Sequence, residues 1–202
     1  IILPPVYFPF FSAVTKSNRA LTLCPLSYHN HRYEIDFDRL AALENNSRIL
    51  LFCSPHNPVG RVWPRSDLEQ LIRIAQKKNW IIISDEIHAD LTYPEYQHIP
   101  LARLTEEAEN IITAIAPSKT FNIPGLNLSA LIVPNAKFRQ AILNFFDQLH
   151  INPANPFSIT AFETAYQKGA NWLDELISYL SCTRDQVADY LTKYLPAIKL
   201  VK

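Results

Sequence analysis

The segment WIIISDEIHADL, residues 80–91, passes abruptly from apolar to acidic residues. Four apolar residues, Trp80 to Ile83, lead into a polar group whose first carboxylate is Asp85. A short, β-branched run that is apolar on both faces is typical of a strand covered on both sides. The segment therefore predicts an interior strand that carries Asp85 at its carboxyl end.

Three further runs have the same character and predict three more interior strands. They are residues 49–55 (ILLFCSP), 111–118 (IITAIAPS) and 129–135 (SALIVPN). Residues 66–79 directly precede the strand that ends at Asp85. Apolar residues recur in them at helical spacing: Leu68, Leu71, Ile72 and Ala75. Ser66 and Glu69 fit an S-x-x-E capping box, which predicts the start of this helix.

The carboxyl-terminal part of the sequence predicts helices. Residues 136–149 carry one apolar stripe, formed by Phe138, Ile142, Phe145 and Leu149. Residues 159–195 are helical in pattern, and Thr183 with Gln186 suggests a second capping box where a new helix begins. Alternation of strands and helices predicts an α/β fold of three layers, α/β/α, with a mostly parallel sheet and right-handed crossovers.

Composition excludes several classes of function. The 202 residues include 19 Lys plus Arg and 19 Asp plus Glu, so we expect neither nucleic acid nor a membrane surface as a partner. No apolar run reaches the roughly 18 residues of a membrane span. The six histidines have no metal-ligand spacing, so we expect no metal site. With three glycines and no GxGxxG or Walker A motif, the chain is neither a nicotinamide Rossmann domain nor a P-loop NTPase.

The cysteines and the first residue indicate the setting of the chain. Three cysteines, without CxxC spacing, argue against a disulfide framework and favour a reducing cytoplasm. One of them, Cys53, lies in a predicted buried strand, where we expect it to serve only in packing. The sequence starts at Ile1 and contains no Met, which suggests a fragment of a longer protein.

Polar side chains follow three of the predicted strands, and these indicate a cofactor site. Asn57, Asp85 and Lys119 each come after a strand, and the carboxyl ends of parallel strands meet at one edge of a sheet. A carboxylate emerging from a buried strand needs a cationic partner, and a protonated heterocyclic nitrogen would serve. We expect Lys119 to be partly desolvated and nucleophilic toward carbonyls. An Asp partner for a pyridinium nitrogen together with a Schiff-base Lys is the arrangement used for pyridoxal phosphate (PLP).

The strings SPHNPVG (54–60), SDEIHADL (84–91) and APSKTFNIPGL (116–126), with the opening PVYFPFF (5–11), carry a family resemblance. The gaps are 28 residues from Asn57 to Asp85 and 34 from Asp85 to Lys119. In order and spacing they resemble the fold-type I PLP enzymes of the class I and II aminotransferase superfamily. Within it they look most like the cystathionine β-lyase and carbon-sulfur lyase branch, of the MalY/PatB type. The resemblance covers essentially the whole chain.

The resemblance implies a role for each of six residues. Lys119 would form the Schiff base with PLP and, once released by substrate, would move the α-proton. Asp85 would hold the pyridine nitrogen protonated, and Asn57 would donate a hydrogen bond to the 3-oxygen of the ring. Tyr7 would stack on the ring and Ser118 would contact the phosphate. His88 would also bind the cofactor, at a position that many aminotransferases fill with Tyr and that this branch fills with His.

The sequence also departs from the family pattern. Many members carry an Arg eight residues after the lysine, where this chain has Asn127, and that change favours a lyase over a transaminase. The glycine-containing turn that anchors the phosphate would precede Ile1, and the Arg that holds the substrate carboxylate would follow Lys202. The resemblance thus predicts an amino-terminally incomplete PLP-binding large domain over residues 1–168. Residues 169–202 would form interdomain helices and the start of a truncated small domain.

Three functional hypotheses follow, with an amino acid as the small-molecule substrate in the first two. The first is a PLP-dependent carbon-sulfur β-lyase that cleaves cystathionine or cysteine-type amino acids to pyruvate, ammonia and a thiol. The second is a PLP-dependent aminotransferase of class I/II on the same scaffold. The third is a non-catalytic PLP-binding or regulatory protein. The resemblance also implies a homodimer, because fold-type I sites are usually completed by a second subunit.

Overall fold

The computed structural model describes residues 1–44, 46–151 and 155–201. The helices and strands in these ranges are, in chain order, α1 (Pro9–Lys16), β1 (Ser27–His29), β2 (Arg32–Glu34), α2 (Phe37–Ala42), β3 (Ile49–Cys53), α3 (Arg65–Lys78), β4 (Ile81–Asp85), β5 (Ile111–Ile115), α4 (Pro117–Thr120), β6 (Ala130–Ile132), α5 (Ala136–Gln148), α6 (Pro156–Lys168) and α7 (Ala170–Tyr194). Short 3-10 helices span Leu101–Leu104, Ala108–Asn110 and Pro124–Leu126.

A four-stranded sheet in the order β3-β4-β5-β6 forms the centre of the fold. Strands β3, β4 and β5 are mutually parallel, and β6 pairs antiparallel with β5. The predicted α/β fold with a mostly parallel sheet is therefore confirmed. A separate antiparallel hairpin, β1-β2, joins Ser27–His29 to Arg32–Glu34.

Helices cover β3 on both faces, which gives the layered core. Leu50 and Phe52 lie in one apolar cluster with residues of α3, whereas Cys53 lies in a second cluster with Leu51 and Phe10 of α1. The separation arises because successive side chains of a strand point to opposite faces. The sheet is thus packed between α1 on one side and α3 on the other.

Helix α3 confirms the predicted apolar face but not the predicted start. The four buried residues are the expected ones: Leu68, Leu71, Ile72 and Ala75. The capping box is wrong, because the N-cap is Pro64, two residues before Ser66, and Ser66 lies inside the first turn of the helix. The Ser66 hydroxyl donates to Asp67 Oδ1 instead of to the backbone. At the other end Asn79 adopts the left-handed conformation that ends many helices.

Strand β6 and helix α5 differ from their predicted burial. The run 129–135 was expected to be an interior strand, but β6 lies at the sheet edge and Leu131 and Ile132 are exposed. On α5, Phe138 and Ile142 are half-buried as the stripe predicts, but Phe145 is exposed. The inward stripe continues through Phe146, four residues after Ile142, as the helical repeat of 3.6 residues allows.

The carboxyl-terminal helices break at a different point from the one predicted. Helix α7 runs without interruption from Ala170 to Tyr194, so no new helix starts at Thr183. The Thr183 hydroxyl donates to the carbonyl oxygen of Tyr179, four residues earlier, which is a bond that Thr makes inside helices. The break falls at Gly169, between α6 and α7.

Gly169 is required there by a close approach. A Cβ atom at this position would overlap the Phe121 ring and the carbonyl oxygen of Ala165. The Phe121 ring also packs against Tyr166 of α6 and Trp172 of α7, with ring centroids 5.8 Å apart in both pairs. Phe121 follows directly after α4, so this aromatic group joins the two carboxyl-terminal helices to the segment that carries Lys119.

We expect Gly169→Ala to lower the free energy of unfolding by about 1–3 kcal/mol, because the added methyl group must displace Phe121 or the α6 backbone. Urea unfolding followed by circular dichroism measures the change. Gly125→Ala is the matched control, since a Cβ there meets no atom within 4 Å, and it should cost less than about 0.5 kcal/mol. Equal stability of the two variants would contradict the role assigned to Gly169.

Candidate active site

The register of the parallel strands brings three strand ends together. Asp85, the last residue of β4, lies opposite Cys53 of β3 on one side and Ala114 of β5 on the other. Asn57 follows four residues after Cys53, and its backbone N–H points to the Cys53 Sγ at 3.4 Å. Lys119 follows β5 within the short helix α4. The structure thus places Asn57, Asp85 and Lys119 after adjacent strands, at one edge of the sheet.

Asp85 is a partly buried carboxylate within the electrostatic influence of two basic side chains. Its Oδ1 accepts a hydrogen bond from the backbone N–H of Ile87 at 3.3 Å. Burial raises the pKa of Asp85, and the Ile87 hydrogen bond and the nearby His88 and Lys119 only partly offset this effect. The ionised Asp85 carboxylate would therefore be stabilised by a further cation or hydrogen-bond donor.

His88 lies beside Asp85 and has an unpaired ring nitrogen. Its Nδ1 is buried and has no hydrogen-bond partner among the residues that the structure describes. Burial lowers the pKa of His88, and the Asp85 carboxylate opposes that shift. A neutral imidazole with an unpaired buried nitrogen is a polar group available to a ligand.

Lys119 is more exposed than the sequence predicts. Its side chain is exposed and that of Ser118 is half-buried, so the expectation of a desolvated lysine is wrong for this structure. Helix α4 is a single turn whose first and last residues, Pro117 and Thr120, are buried, and Lys119 lies between them on the exposed part of the turn. Thr120, which is fully buried, fixes this turn by a hydrogen bond from its hydroxyl to Asp90 Oδ2 at 3.2 Å.

An open cleft of about 780 Å³ adjoins the strand ends and is lined by both Asn57 and His88. Asp85, Ser118 and Lys119 are not among its lining residues. Asn57 begins the tight loop that returns at Gly60, whose φ of +69° is readily adopted by glycine. The loop is closed by hydrogen bonds from His56 N to Arg61 O and from Gly60 N to His56 O, both of 2.8 Å.

Tyr7 lies two residues before the start of α1, in a segment that contacts the Asn57 loop. Its segment is held to the loop by the hydrogen bond between His56 Nε2 and the carbonyl oxygen of Pro5, 2.9 Å long. The Tyr7 ring is 40% exposed and packs edge-on against Phe10, with ring centroids 5.7 Å apart. The structure therefore places Tyr7 near the loop, with a ring that a ligand can reach.

Two residues singled out by the sequence, Cys53 and Asn127, lie one in a buried strand and one at a left-handed backbone position. The Cys53 thiol is buried, as expected, and burial raises its pKa to about 12. Asn127, which stands where many relatives have Arg, adopts a left-handed conformation with φ of +47°. Asn is one of the residues that tolerate this conformation.

Sequence reasoning missed a buried polar network immediately beside the site. Glu86, the residue after Asp85, is at the centre of this network. Its carboxylate accepts hydrogen bonds from the Ser84 hydroxyl at 2.9 Å, from His98 Nε2 at 2.8 Å and from the backbone N–H of Leu101 at 3.1 Å. Glu86 and His98 come from segments 12 residues apart, and no spacing rule links them.

This network fixes the backbone that follows Asp85. Glu86 and His98 retain only 2% and 8% of their side-chain exposure. Because Glu86 is the next residue after Asp85, its three hydrogen bonds set the direction in which the chain leaves β4. The network therefore positions the Asp85 and His88 segment without contacting the cleft itself.

The comparisons with known proteins agree with this arrangement. Residues 1–201 match the family model described as aminotransferase class I and II, and the chain belongs to that family. Cystathionine beta-lyase PatB of Bacillus subtilis is 38% identical over the whole chain and is matched over 53% of its own length. Protein MalY of Escherichia coli is 31% identical, with 98% of this chain and 51% of MalY aligned.

A solved relative has the same fold and contains PLP. The crystal structure of cystalysin from Treponema denticola, which contains a pyridoxal 5′-phosphate cofactor, superposes with a TM-score of 0.96 at 37% identity. The superposition covers 100% of this chain and 52% of cystalysin. The chain thus spans about half the length of the relatives it matches.

Two features are absent from the part of the chain that the structure describes, a membrane-spanning helix and a metal-binding cluster. No helix within them combines the length and the apolar character needed to cross a bilayer. In the same residues no group of three or more His, Cys, Asp and Glu side chains is arranged to hold a metal ion.

We expect His98→Phe to lower the free energy of unfolding by about 2–3 kcal/mol, because the buried Glu86 carboxylate loses one of its three hydrogen-bond partners. Urea unfolding at pH 7 measures the loss. The control is Glu69→Gln, which breaks the exposed Arg65–Glu69 pair and should cost less than about 0.5 kcal/mol. A loss no larger than that of the control would show that the network is dispensable.

We expect Asp85→Asn to be more stable than the wild type at pH 7 when no cofactor is added. Burial raises the folded-state pKa of Asp85 above 3.8, so between 3.8 and that pKa the folded state binds more protons than the unfolded state. Stability is therefore lost as the pH rises through this interval, and the advantage of the variant should shrink as the pH falls toward 3.8. Urea unfolding across this range tests the prediction.

Asp189→Asn, at an exposed position on α7, is the control for the charge change itself. It should match the wild type at pH 7 within about 0.5 kcal/mol. An Asp85→Asn variant that is less stable than the wild type at pH 7 would mean that the carboxylate is stabilising where it lies.

Proposed function

We propose that this chain provides the cofactor-binding core of a PLP-dependent carbon-sulfur β-lyase that acts on cystathionine or cysteine-type amino acids. The observation that carries the proposal is the strand register, because it holds Asn57, Asp85 and Lys119 at one sheet edge beside a cleft. The name of PatB, a cystathionine beta-lyase, and the pyridoxal 5′-phosphate in the cystalysin structure support the same assignment.

The donor set of this edge fits PLP. Asp85 has a raised pKa, so a protonated ring nitrogen would supply the positive partner that the protein does not fully provide. The unpaired Nδ1 of His88 and the amide of Asn57 are available to oxygen atoms of the group. When bound, PLP supplies an aldehyde that condenses with amines and a ring that withdraws electrons from the α-carbon.

Each residue of the chain then has a defined task. Asp85 would hold the proton on the ring nitrogen, and Asn57 would donate its amide N–H to the 3-oxygen. Ser118 would donate its hydroxyl to the phosphate, and Tyr7 would contact the ring. Lys119 would hold the cofactor through its Nζ and, when free, would accept the α-proton of the substrate at the same atom.

The outcome of the reaction separates the lyase from its alternative. In β-elimination the α-C–H and β-C–S bonds break, the thiol leaves, and hydrolysis yields pyruvate and ammonia. An aminotransferase would instead pass the amino group to a keto acid and release no thiol. The replacement of Arg by Asn127 and the names of the relatives favour the lyase, whereas the family description covers aminotransferases.

The proposal has three further parts, and the exposure of Lys119 supports the first of them, a homodimer. Schiff-base chemistry is favoured in a desolvated site, so we infer that a second copy of the chain covers this edge in a homodimer. We also propose that residues 1–168 form the PLP-binding domain and that residues 169–202 begin a smaller domain, with the boundary at the Gly169 break. The three free thiols support a reducing, cytoplasmic location.

The test is borohydride reduction of the protein incubated with PLP, followed by intact-mass measurement. We expect the mass of the chain plus one reduced pyridoxyl phosphate, because reduction fixes the bond between Lys119 Nζ and the cofactor. Lys119→Ala should lose the added mass, whereas Lys137→Ala, an exposed lysine of α5, should retain it.

Thiol and pyruvate release from L-cystathionine then distinguishes the candidate reactions. Release without a keto acid supports the lyase, and amino transfer without thiol release supports the aminotransferase. Cofactor binding with neither reaction would favour the non-catalytic alternative. A chain that gains no mass, or that gains it equally in Lys119→Ala, would overturn the proposal.

A further inference from the structure

The cleft beside the candidate PLP site is lined by an excess of positive charge. Three arginines line it, Arg32, Arg61 and Arg184, against one carboxylate, Glu95. Histidines 56 and 88 also line it. The charge balance of this cleft differs from that of the chain, which carries no net charge.

Two of the three arginines already have acidic partners. Arg184 contacts Glu95 at 3.1 Å and Asp185 at 2.8 Å, and its guanidinium stacks over the Tyr93 ring at 4.2 Å. Arg32 lies 3.7 Å from Glu34, with both side chains exposed. Glu95, the one carboxylate that lines the cleft, is therefore already paired with Arg184.

Arg61 is different, because it is buried and has no acidic partner within salt-bridge distance among the described residues. Only 6% of its surface is exposed, and its Nε is buried without a hydrogen-bond partner in that part of the chain. Its guanidinium lies over the Trp63 ring at 5.3 Å. The Asp67 and Glu34 carboxylates are near enough to act on its charge, but neither lies within salt-bridge distance of it. A buried cation without a directly paired anion is costly, and such groups normally have one.

The backbone holds Arg61 in a preorganised position. Its carbonyl oxygen accepts the hydrogen bond from His56 N that closes the loop, and Trp63, on which its guanidinium rests, donates from Nε1 to the carbonyl oxygen of Cys53 at 3.1 Å. The loop therefore ties Arg61 to the end of β3. A cation fixed before binding loses little conformational freedom when its ligand arrives.

We propose that Arg61 binds a carboxylate of a small-molecule ligand in this cleft. The planar guanidinium can pair with a carboxylate through two hydrogen bonds, and the cleft has room for the rest of the molecule. Asn57 and His88 line the same cleft, so the carboxylate is the one at the far end of the amino-acid substrate. The inference rests on the proposed function and narrows its substrates to amino acids whose side chain ends in a second carboxylate.

Binding is measured first without any cofactor. In ¹⁵N-labelled protein, the signal of the buried Arg61 Nε–H is assigned by its loss in Arg61→Lys, and succinate is the probe. We expect a saturable shift of this signal with succinate and none with succinamide, which has the same shape without the charges.

The affinity for succinate, measured by calorimetry, should fall about 10- to 100-fold in Arg61→Gln and Arg61→Lys, as expected for loss of a charge-assisted, two-bonded contact. Arg73→Gln, an exposed arginine of α3 outside the cleft, should bind as the wild type does. No binding of succinate, or equal binding by the Arg61 variants, would overturn the proposal.

A second measurement concerns the PLP-loaded protein and the substrate. The ratio of kcat/KM for L-cystathionine to that for S-methyl-L-cysteine, which lacks the second carboxylate, should fall about 10-fold or more in Arg61→Gln. The ratio should not change in Arg73→Gln. An unchanged ratio in Arg61→Gln overturns the substrate assignment. Failure of PLP to bind Lys119 overturns the proposed function, but the succinate experiment, which needs no cofactor, still tests carboxylate binding by Arg61.

Discussion

The parallel pairing of β4 between β3 and β5 is the constraint on which the rest of the structure depends. It sets Asp85 level with Cys53 and Ala114, so that the segments carrying Asn57, His88 and Lys119 leave the sheet at one edge. The apolar faces of these strands hold the register, since a slip of one residue would exchange the residues packed against α1 and α3. The packing of the core thus positions the residues of the site. The same packing partly buries the Asp85 carboxylate, which raises its pKa.

The sheet and the strand-end residues could be predicted from the sequence because they depend on local patterns. The apolar runs gave the strands and the face of α3, and the spacing from Asn57 to Lys119 gave the family. Exposure could not be predicted in the same way: β6 is as apolar as the interior strands, yet it lies at an edge. Lys119 follows a buried strand, yet its side chain is exposed, because exposure depends on what packs above a residue.

The Glu86–His98 pair and Arg61 show a second limit. The surroundings of all three residues depend on contacts between segments that no short motif connects. Their partners therefore cannot be predicted from the neighbouring residues in the sequence. The capping boxes failed for a related reason: Ser66 and Thr183 fit the motif, but a preceding proline and a continuous helix gave their hydroxyls other partners. Local rules predict which groups need partners, and tertiary contacts decide which partners they find.

The protonation state of Cys53 determines whether its sulfur can compete with Lys119 for an aldehyde at this edge of the sheet. Its thiol is the nearest sulfur nucleophile in sequence to Asn57, and it stands opposite Asp85 in the sheet. A free thiolate would add to an aldehyde held at this edge and compete with the lysine. With a pKa of about 12, only on the order of one molecule in 100,000 carries the thiolate at pH 7. Burial of one strand residue thus keeps this thiol protonated, and the Lys119 amine is the exposed nucleophile at this edge of the sheet.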